Sequence, residues 1–545
     1  MERNTFDLSL KRKQRFNDTQ QGYDVVIVGG GVNGLGTAWD SALRGMKVLL
    51  VEKGDIGSGT SSWSSRMIHG GLKYLEKYDI PLVRESLRER EWLVKSAPHL
   101  VRELRFIIPF YKQNQNSPFI LRLGMIAYDI LSFDKSLKSF DFFSKKKILE
   151  KEPGLNPDQL TGGCAYSDAQ VNYSERLCYE IALSARQAGA EILTHVKATD
   201  LEVKQGKIKA IKIRDEISGE EVRVPTQVII NNAGPWIDEV WPKDHISLPR
   251  MNGGTKGTHL VVNSFPGAPT DAFYYESDDA RPMMVIPWKN RYLIGSTDIP
   301  FTGNLDTASA TQDEYDYILH ETNKVLPEAH LTKNDVIYAY TGVRPLPYSE
   351  GAKVSDITRR HKIVDHKQNQ LDGLYTLVGG KLTTFRQVGE DFGNILSERF
   401  HKNTKSRTRK MKLPGGSISS MYELKKEIEN TGIPDSLVNR IADQYGKLGI
   451  KLAEFIMEKP ERQEIIDESF GLTHGEVEWA VTNEEAYRLS DVVARRIMTG
   501  LEDDLGLNSL EAVSVICANL LNWDENRRQE EINSYKNYIK RLQVK

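Results

Sequence analysis

Cysteine is scarce in this chain of 545 residues, which carries only Cys164, Cys178 and Cys517. Three scattered thiols cannot build a disulfide framework or a zinc site, which fits a reducing compartment and leaves burial as free thiols as the plain reading. An excess of charge is missing too. With 73 Lys and Arg against 75 Asp and Glu the formal net charge is −2, so the surface as a whole is not built for nucleic acid and any charged partner must be met locally. Long apolar runs are absent away from the candidate nucleotide strands. The most apolar stretch there, Phe119 to Phe133, is interrupted by Arg122 and Asp129 and falls short of the ~20 residues of a spanning helix. Met1 to Gly22 is polar and basic without an apolar centre, so no secretory signal is expected and a cytoplasmic location follows. No repeat or low-complexity tract occurs, and no metal is expected. His474-Gly-Glu-Val-Glu478 resembles a ligand cluster only superficially, a solvated helix face being the simpler account.

What is present describes a soluble globular protein, with 39% hydrophobic and 27% charged residues. Its length predicts about three or four units. A strand, glycine turn, helix and strand run from Asp24 to Glu52, and apolar residues recur at helical spacing from Pro81 to Leu100. An aromatic, loop-rich excursion reaches about Glu152. Cys178 to Ala190 then reads as a helix, with Glu191 to Val196 and Val224 to Asn231 as strands. A second excursion, Ser247 to Asp365, holds alternating segments such as Thr258 to Val262 and Arg291 to Gly295 that suit an antiparallel sheet. Leu374 to Val378 returns to the first unit, and a basic connector, Thr404 to Gly416, leads into a portion that reads as helical throughout. The expected division is therefore a discontinuous α/β unit (1–90, 160–245, 366–404), an antiparallel substrate unit (91–159, 246–365) and a helical unit (415–545).

The first chemistry-bearing motif is Gly29-Gly-Gly31-Val-Asn-Gly34, set between the strand Tyr23 to Val28 and a helix. Gly29 allows the tight turn, Gly31 lets backbone N–H groups approach a pyrophosphate at the helix N-terminus, and Gly34 permits close helix–strand packing. Glu52 closes the next strand, where a carboxylate binds ribose hydroxyls and disfavours a 2′-phosphate. FAD and NAD share this fingerprint. Three further segments favour FAD: the hydroxyl-rich Gly59-Thr-Ser-Ser62, the turn Asn232-Ala-Gly234-Pro-Trp236, and Val378-Gly-Gly-Lys381-Leu-Thr-Thr384, a strand-to-helix junction whose N-terminal dipole would stabilise a reduced flavin.

Taken together, Gly29 to Gly34, Thr60 to Ser62, Ile68-His-Gly-Gly-Leu-Lys-Tyr-Leu75, Gly342-Val-Arg-Pro-Leu346 and Gly379 to Thr384 resemble the FAD-dependent glycerol-3-phosphate dehydrogenases, from about Asp24 into the helical unit. The resemblance implies a Rossmann-like FAD domain of the glutathione-reductase and D-amino-acid-oxidase type, an antiparallel substrate domain and a helical C-terminal domain. It also implies oxidation of sn-glycerol 3-phosphate to dihydroxyacetone phosphate, with electrons passed to a membrane quinone, and a homodimer is an open partner. The implied cofactor set is Gly29, Gly31, Asn33, Gly34, Glu52, Lys53, Thr60, Ser61, Ser62, Ser65, Val196, Gly234, Gly380, Leu382 and Thr383. Carried over by motif, the phosphate falls to Arg344, Arg359, Lys73 and Tyr74. Position 73 departs from the arginine frequent in bacterial quinone-linked relatives, keeping the charge but losing the bidentate fork.

Hydride loss from C2 requires a base for the C2 hydroxyl, and two histidines qualify. His259 is preferred as base and His69 as a flavin-side polar group, with Lys381 touching both flavin and substrate. Core packing for the histidines and a solvated helix start for Lys381 are the alternatives. Three other functions stay open: an oxidase using O2, against which no added segment is seen in the substrate unit; an amino-acid or amine oxidase, which needs one arginine rather than this basic set; and an inert flavin binder, which has no use for His69, His259 and Lys381. Phe106 to Tyr111, Phe119 to Phe133 and Phe140 to Lys147 mix apolar bulk with lysines, fitting either peripheral attachment to the inner face of the cell membrane or a folded core with a basic rim.

Overall fold

The structure is a computed structural model that describes residues 8–75, 79–114, 118–242, 246–351 and 357–544. Its first layer grows from β-branched runs with no polar face. Val25, Val26 and Ile27 are wholly buried, as are Val48 to Val51, and strands covered on both faces carry such continuous apolar runs. Tyr23–Val28 pairs in parallel with Val48–Glu52 on one side and Glu221–Asn231 on the other, and Glu191–Thr194 and Leu374–Val378 extend the sheet. Helices Val32–Leu43, Ser174–Gln187 and Phe385–Arg399 pack on it. At the outer end of Glu221–Asn231 the hairpin Val196–Lys204 and Lys207–Asp215 adds antiparallel strands.

A second, ten-stranded sheet is mostly antiparallel. Its order is Ile299–Pro300, Thr255–Asn263, Arg291–Gly295, Pro282–Trp288, Ala272–Glu276, Val101–Tyr111, Leu160–Val171, Met67–Ile68, with Val336–Arg344 also on Thr255–Asn263 and Asp141–Ser144 also on Leu160–Val171. The boundaries expected from sequence shift here. Met67–Ile68 and Leu160–Val171 belong to this sheet, not to the nucleotide-binding one, so the first excursion begins before residue 91 and ends after 160. Leu160–Val171 is almost entirely buried; a strand covered on both faces shows no alternation to say which sheet holds it. Phe106–Tyr111 is likewise interior, its residues all buried, and offers nothing to a membrane.

The C-terminal portion is mainly helical, with helices such as Asp435–Tyr445, His474–Thr482, Leu510–Leu521 and Glu525–Ile539. It also holds a small ribbon, Ile465–Asp467 with Leu472–Thr473. Val492–Arg496, in the portion that reads as helical from sequence, is π-helical. There the neighbouring guanidiniums of Arg495 and Arg496 converge on one buried carboxylate, Asp55, at 2.7 and 2.8 Å. Asp55 lies three residues past Glu52, so this buried pair-of-pairs ties the helical unit to the loop that borders the nucleotide cavity. Losing one partner of such a network leaves an uncompensated buried charge, at a cost of about 3–5 kcal/mol.

Candidate active site

A cavity of about 630 Å3 opens where the two sheets and the helical unit meet. The backbone at its centre is set by glycine. Gly29 has φ of +111°, and a Cβ at Gly34 would lie 1.9 Å from the Gly29 carbonyl oxygen, so strand and helix approach more closely than any side chain allows. Gly31 caps the helix Val32–Leu43, whose first N–H, on Val32, donates to Ser61 Oγ at 3.0 Å. Glu52 accepts from Gly30 N–H at 2.6 Å and Gly54 N–H at 2.8 Å; burial raises its pKa and the two N–H groups oppose that rise. Lys53 pairs with Asp306 at 2.8 Å and lies over the Trp236 ring. Thr60 donates to the Val343 carbonyl at 2.7 Å.

Gly29, Gly31, Asn33, Glu52, Lys53, Thr60, Ser61, Val196, Gly234, Gly380 and Leu382 all border the cavity. Others of the expected set face elsewhere. Gly34 packs against Gly29, Ser62 donates to the Gly57 carbonyl, Ser65 meets His259, and Thr383 Oγ accepts from the His69 N–H. Asn33 Oδ1 is buried without a partner. An unfilled amide oxygen, an open helix N-terminus and a strand-end carboxylate along one extended cavity fit a dinucleotide.

Next to Val343 and Pro345 of the cavity wall lies a compact polar cluster. Arg344 ends the strand Val336–Arg344 and is paired in register with Thr255. Its guanidinium bonds Asp298 Oδ1 at 3.0 Å, Ser296 Oγ at 2.9 Å and the Thr297 carbonyl at 3.1 Å. Arg359 holds the other oxygen of Asp298 at 3.0 Å, while its Nη1 is buried with no partner. Burial alone would raise the Asp298 pKa, but Arg344, the Thr255 hydroxyl at 2.6 Å and Arg359 outweigh it and hold the carboxyl below its usual range. Burial also lowers the pKa of Arg344 and raises that of the Tyr74 phenol. Lys381 Nζ sits 4.0 Å from the centre of the Tyr74 ring and donates to Ser86 Oγ at 3.2 Å. Burial draws its ammonium down to about 7, against the pull of Glu85 and Asp79.

The two histidines flank this cluster. His259 Nε2 meets Ser65 Oγ at 2.8 Å, its ring stacks on Tyr340 at 5.1 Å, and Nδ1 is buried without a partner. Burial, reinforced by Arg344 and Arg66, lowers its pKa to about 3. Burial likewise lowers His69 to about 4, opposed by Asp168 and reinforced by Lys381 and Arg90. Both rings are therefore neutral near pH 7, as a proton acceptor must be. The Lys73 side chain, expected at the phosphate, lies outside the described residues; its backbone is in the turn Leu72–Tyr74.

Sequence reasoning missed several residues of the site. Asp298 is one, since nothing in Gly295-Ser-Thr-Asp298 marks it as the brace between two arginines. Trp63, Asp306, Tyr538 and Arg541, all on the cavity wall, are others. The His474 to Glu478 segment is explained by pairing, Glu476 with Arg440 and Glu478 with Arg462. Asp278, His320 and Glu321 stand close enough together for a cation, but Lys324 already pairs with Asp278.

Comparison with known proteins bears on the family and the fold. A family described as FAD dependent oxidoreductase matches residues 24–383, and one described as the C-terminal domain of alpha-glycerophosphate oxidase matches 406–528. A glycerol-3-phosphate dehydrogenase of Synechocystis sp. is 41% identical over 95% of this chain and 96% of its own. An aerobic glycerol-3-phosphate dehydrogenase of Staphylococcus saprophyticus is 31% identical over 98% and 96%. Among solved structures, the glycerol-3-phosphate dehydrogenase from Bacillus halodurans complexed with FAD has the same fold, with a TM-score of 0.80 at 24% identity over 98% of this chain and 97% of that one. The glycine cradle, the basic cluster beside it and these likenesses along the whole length place the chain in the family of FAD-dependent glycerol-3-phosphate dehydrogenases.

Proposed function

We propose that this protein oxidises sn-glycerol 3-phosphate to dihydroxyacetone phosphate and delivers the electrons to a quinone at a membrane surface. The observation that carries the substrate reading is the Arg344–Asp298–Arg359 brace, with Arg359 Nη1 buried and unpaired. Two guanidiniums held by one carboxylate keep a net positive charge, and an unsatisfied buried donor gains most from an anion that fills it. Arg344 and Arg359 take the phosphate, Tyr74 bounds it, and Lys381 bridges to the cofactor side. FAD, held by Gly29 to Asn33, Glu52 and Thr60–Ser61, supplies the hydride acceptor when bound.

His259 takes the proton of the C2 hydroxyl as the C2 hydrogen departs with its electron pair, which leaves the ketone. Arg344 is among the groups that depress the His259 pKa; a phosphate dianion on Arg344 offsets that charge and raises the basicity of the ring once substrate is bound. The test is the visible spectrum of the holoenzyme under anaerobic conditions. Adding sn-glycerol 3-phosphate should bleach the flavin bands, and a short-chain quinone should restore them faster than air-saturated buffer does. Bands that persist with substrate overturn the substrate reading, and faster recovery in air overturns the quinone reading.

The membrane reading rests on the helix Pro118–Leu131. Phe119, Ile120, Leu123, Ile126 and Ile130, followed by Phe133, are between 40% and 78% exposed on one face, while Met125 and Tyr128 on the other are buried. An apolar face this continuous needs a cover. Arg122 lies over the Phe142 ring, Phe142 is followed in sequence by the exposed Lys145, Lys146 and Lys147, and apolar bulk with lysines near it in the chain matches a bilayer with anionic headgroups. No helix among the described residues is long and apolar enough to cross a membrane. In sedimentation with anionic phospholipid vesicles, I126D/I130D should lose at least about tenfold in bound fraction while its anaerobic flavin reduction stays at the wild-type rate. Equal sedimentation of variant and wild type overturns this reading.

A further inference from the structure

Among the described residues, four cationic side chains border the nucleotide cavity, Lys53, Lys197, Lys381 and Arg541. Two are committed elsewhere, Lys53 to Asp306 and Lys381 to Tyr74 and Ser86, and Lys197 is an exposed residue next to Val196. Arg541 has no carboxylate partner among the described residues. Its guanidinium lies 4.8 Å from the Trp63 ring centre and 4.7 Å from that of Tyr538, and it donates to the Asp306 carbonyl at 3.4 Å.

This position is built and not incidental. The helix Glu525–Ile539 buries Tyr535 and Ile539, and Leu542 is buried just after Arg541. The Leu542 carbonyl accepts from Ala339 N–H at 2.8 Å, which fixes the last turns of the chain to the strand Val336–Arg344. Trp63, the ring under Arg541, follows directly on Thr60–Ser61–Ser62, the hydroxyl loop whose Ser61 holds the first N–H of the nucleotide-binding helix. Both matched family regions end before Tyr538 and Arg541, at residues 383 and 528.

We propose that Arg541, carried in from the far C-terminus and stacked between Trp63 and Tyr538, is the cationic side chain that binds the diphosphate of the FAD cofactor. A diphosphate at a helix N-terminus gains only partial charge from backbone N–H groups. A guanidinium adds a full charge and planar donors, and its aromatic bed pre-orders it. The inference depends on the flavin cofactor and not on the substrate or the electron acceptor. It gives the helical unit a part in holding the cofactor.

The experiment titrates the deflavinated full-length protein with FAD and, separately, with riboflavin, which has the same ring system and no phosphate. R541Q keeps a donor for Asp306 and most of the stacking but loses the charge, so it should weaken FAD about tenfold and leave riboflavin unchanged. R541K should remain within about threefold of wild type, and the salt dependence of FAD affinity should be shallower in R541Q than in wild type. FAD affinity within twofold of wild type in R541Q overturns the proposal. So does an equal loss for FAD and riboflavin, which would make Arg541 a packing residue of Trp63.

Discussion

The variant R344A is expected to lose about 10^2- to 10^4-fold in kcat/KM for sn-glycerol 3-phosphate, the range set by removing one member of a half-buried, hydrogen-bonded charged pair that also meets the substrate, at about 3–5 kcal/mol. Two effects add. The phosphate loses its principal cation, and Asp298 keeps only Arg359 and the Thr255 hydroxyl, so a half-paired carboxylate faces an incoming dianion. R344K should recover little. The bond to Ser296, the bond to the Thr297 carbonyl and the bond to Asp298 all come from one planar fork, and a lysine cannot make the three together. Space for that fork is provided by Gly257, where a Cβ would stand 2.2 Å from Arg344 Nη2. Steady-state kinetics with the flavin content checked from the visible spectrum decides the matter, since a loss below tenfold with full flavin would remove Arg344 from the phosphate site.

Lys381 adds a pH dependence to the same measurement. Burial lowers its pKa to about 7 in the free protein, so its charge is full below that value and falls away above it. Wild-type kcat/KM should therefore decline as pH rises through about 7 to 8, and K381M should show a low, flat profile on that side. A bound dianion raises the lysine pKa, so the decline should be weaker in kcat than in kcat/KM.

For H259N the expected effect is on the chemical step, with anaerobic flavin reduction by saturating substrate slower by about 10^2- to 10^4-fold and substrate affinity changed little. Nδ1 of His259 is buried with no partner, its Nε2 is fixed on Ser65, and Tyr340 stacks on the ring, so the imidazole is oriented before substrate arrives. H69N should cost less than tenfold. His69 is neutral as well, but its contact to Thr383 is through the backbone N–H, which the substitution leaves in place. Stopped-flow reduction of both variants separates the two candidates that the sequence left standing, and a larger loss in H69N would exchange their roles.

Much of the fold is legible in the chain because it is written locally. The strands Tyr23–Val28, Arg291–Gly295 and Leu374–Val378 occupy the residues that periodicity assigns to them. The glycine turn reads equally well, since positive φ at Gly29 and zero clearance at Gly34 admit only one residue type. Less legible was any feature that depends on which buried run pairs with which. Leu160–Val171 joined the second sheet, and Phe106–Tyr111, apolar enough for a surface patch, lies inside. Apolar composition records that a segment is covered but not by what.

The sequence by itself determined the cofactor class, because the glycine turn and its closing carboxylate depend on residue type and near spacing, while Arg344 and Arg359 were legible only through the motifs of the family it resembles. Tertiary structure alone decided how they combine. Asp298 meets Arg344 across 46 positions and Ser65 meets His259 across 194, while Arg541 reaches the Trp63 ring from the last turns of the chain. Such meetings are fixed by strand register and by docking of the helical unit, both of them sums of many weak contacts that no short stretch of sequence contains.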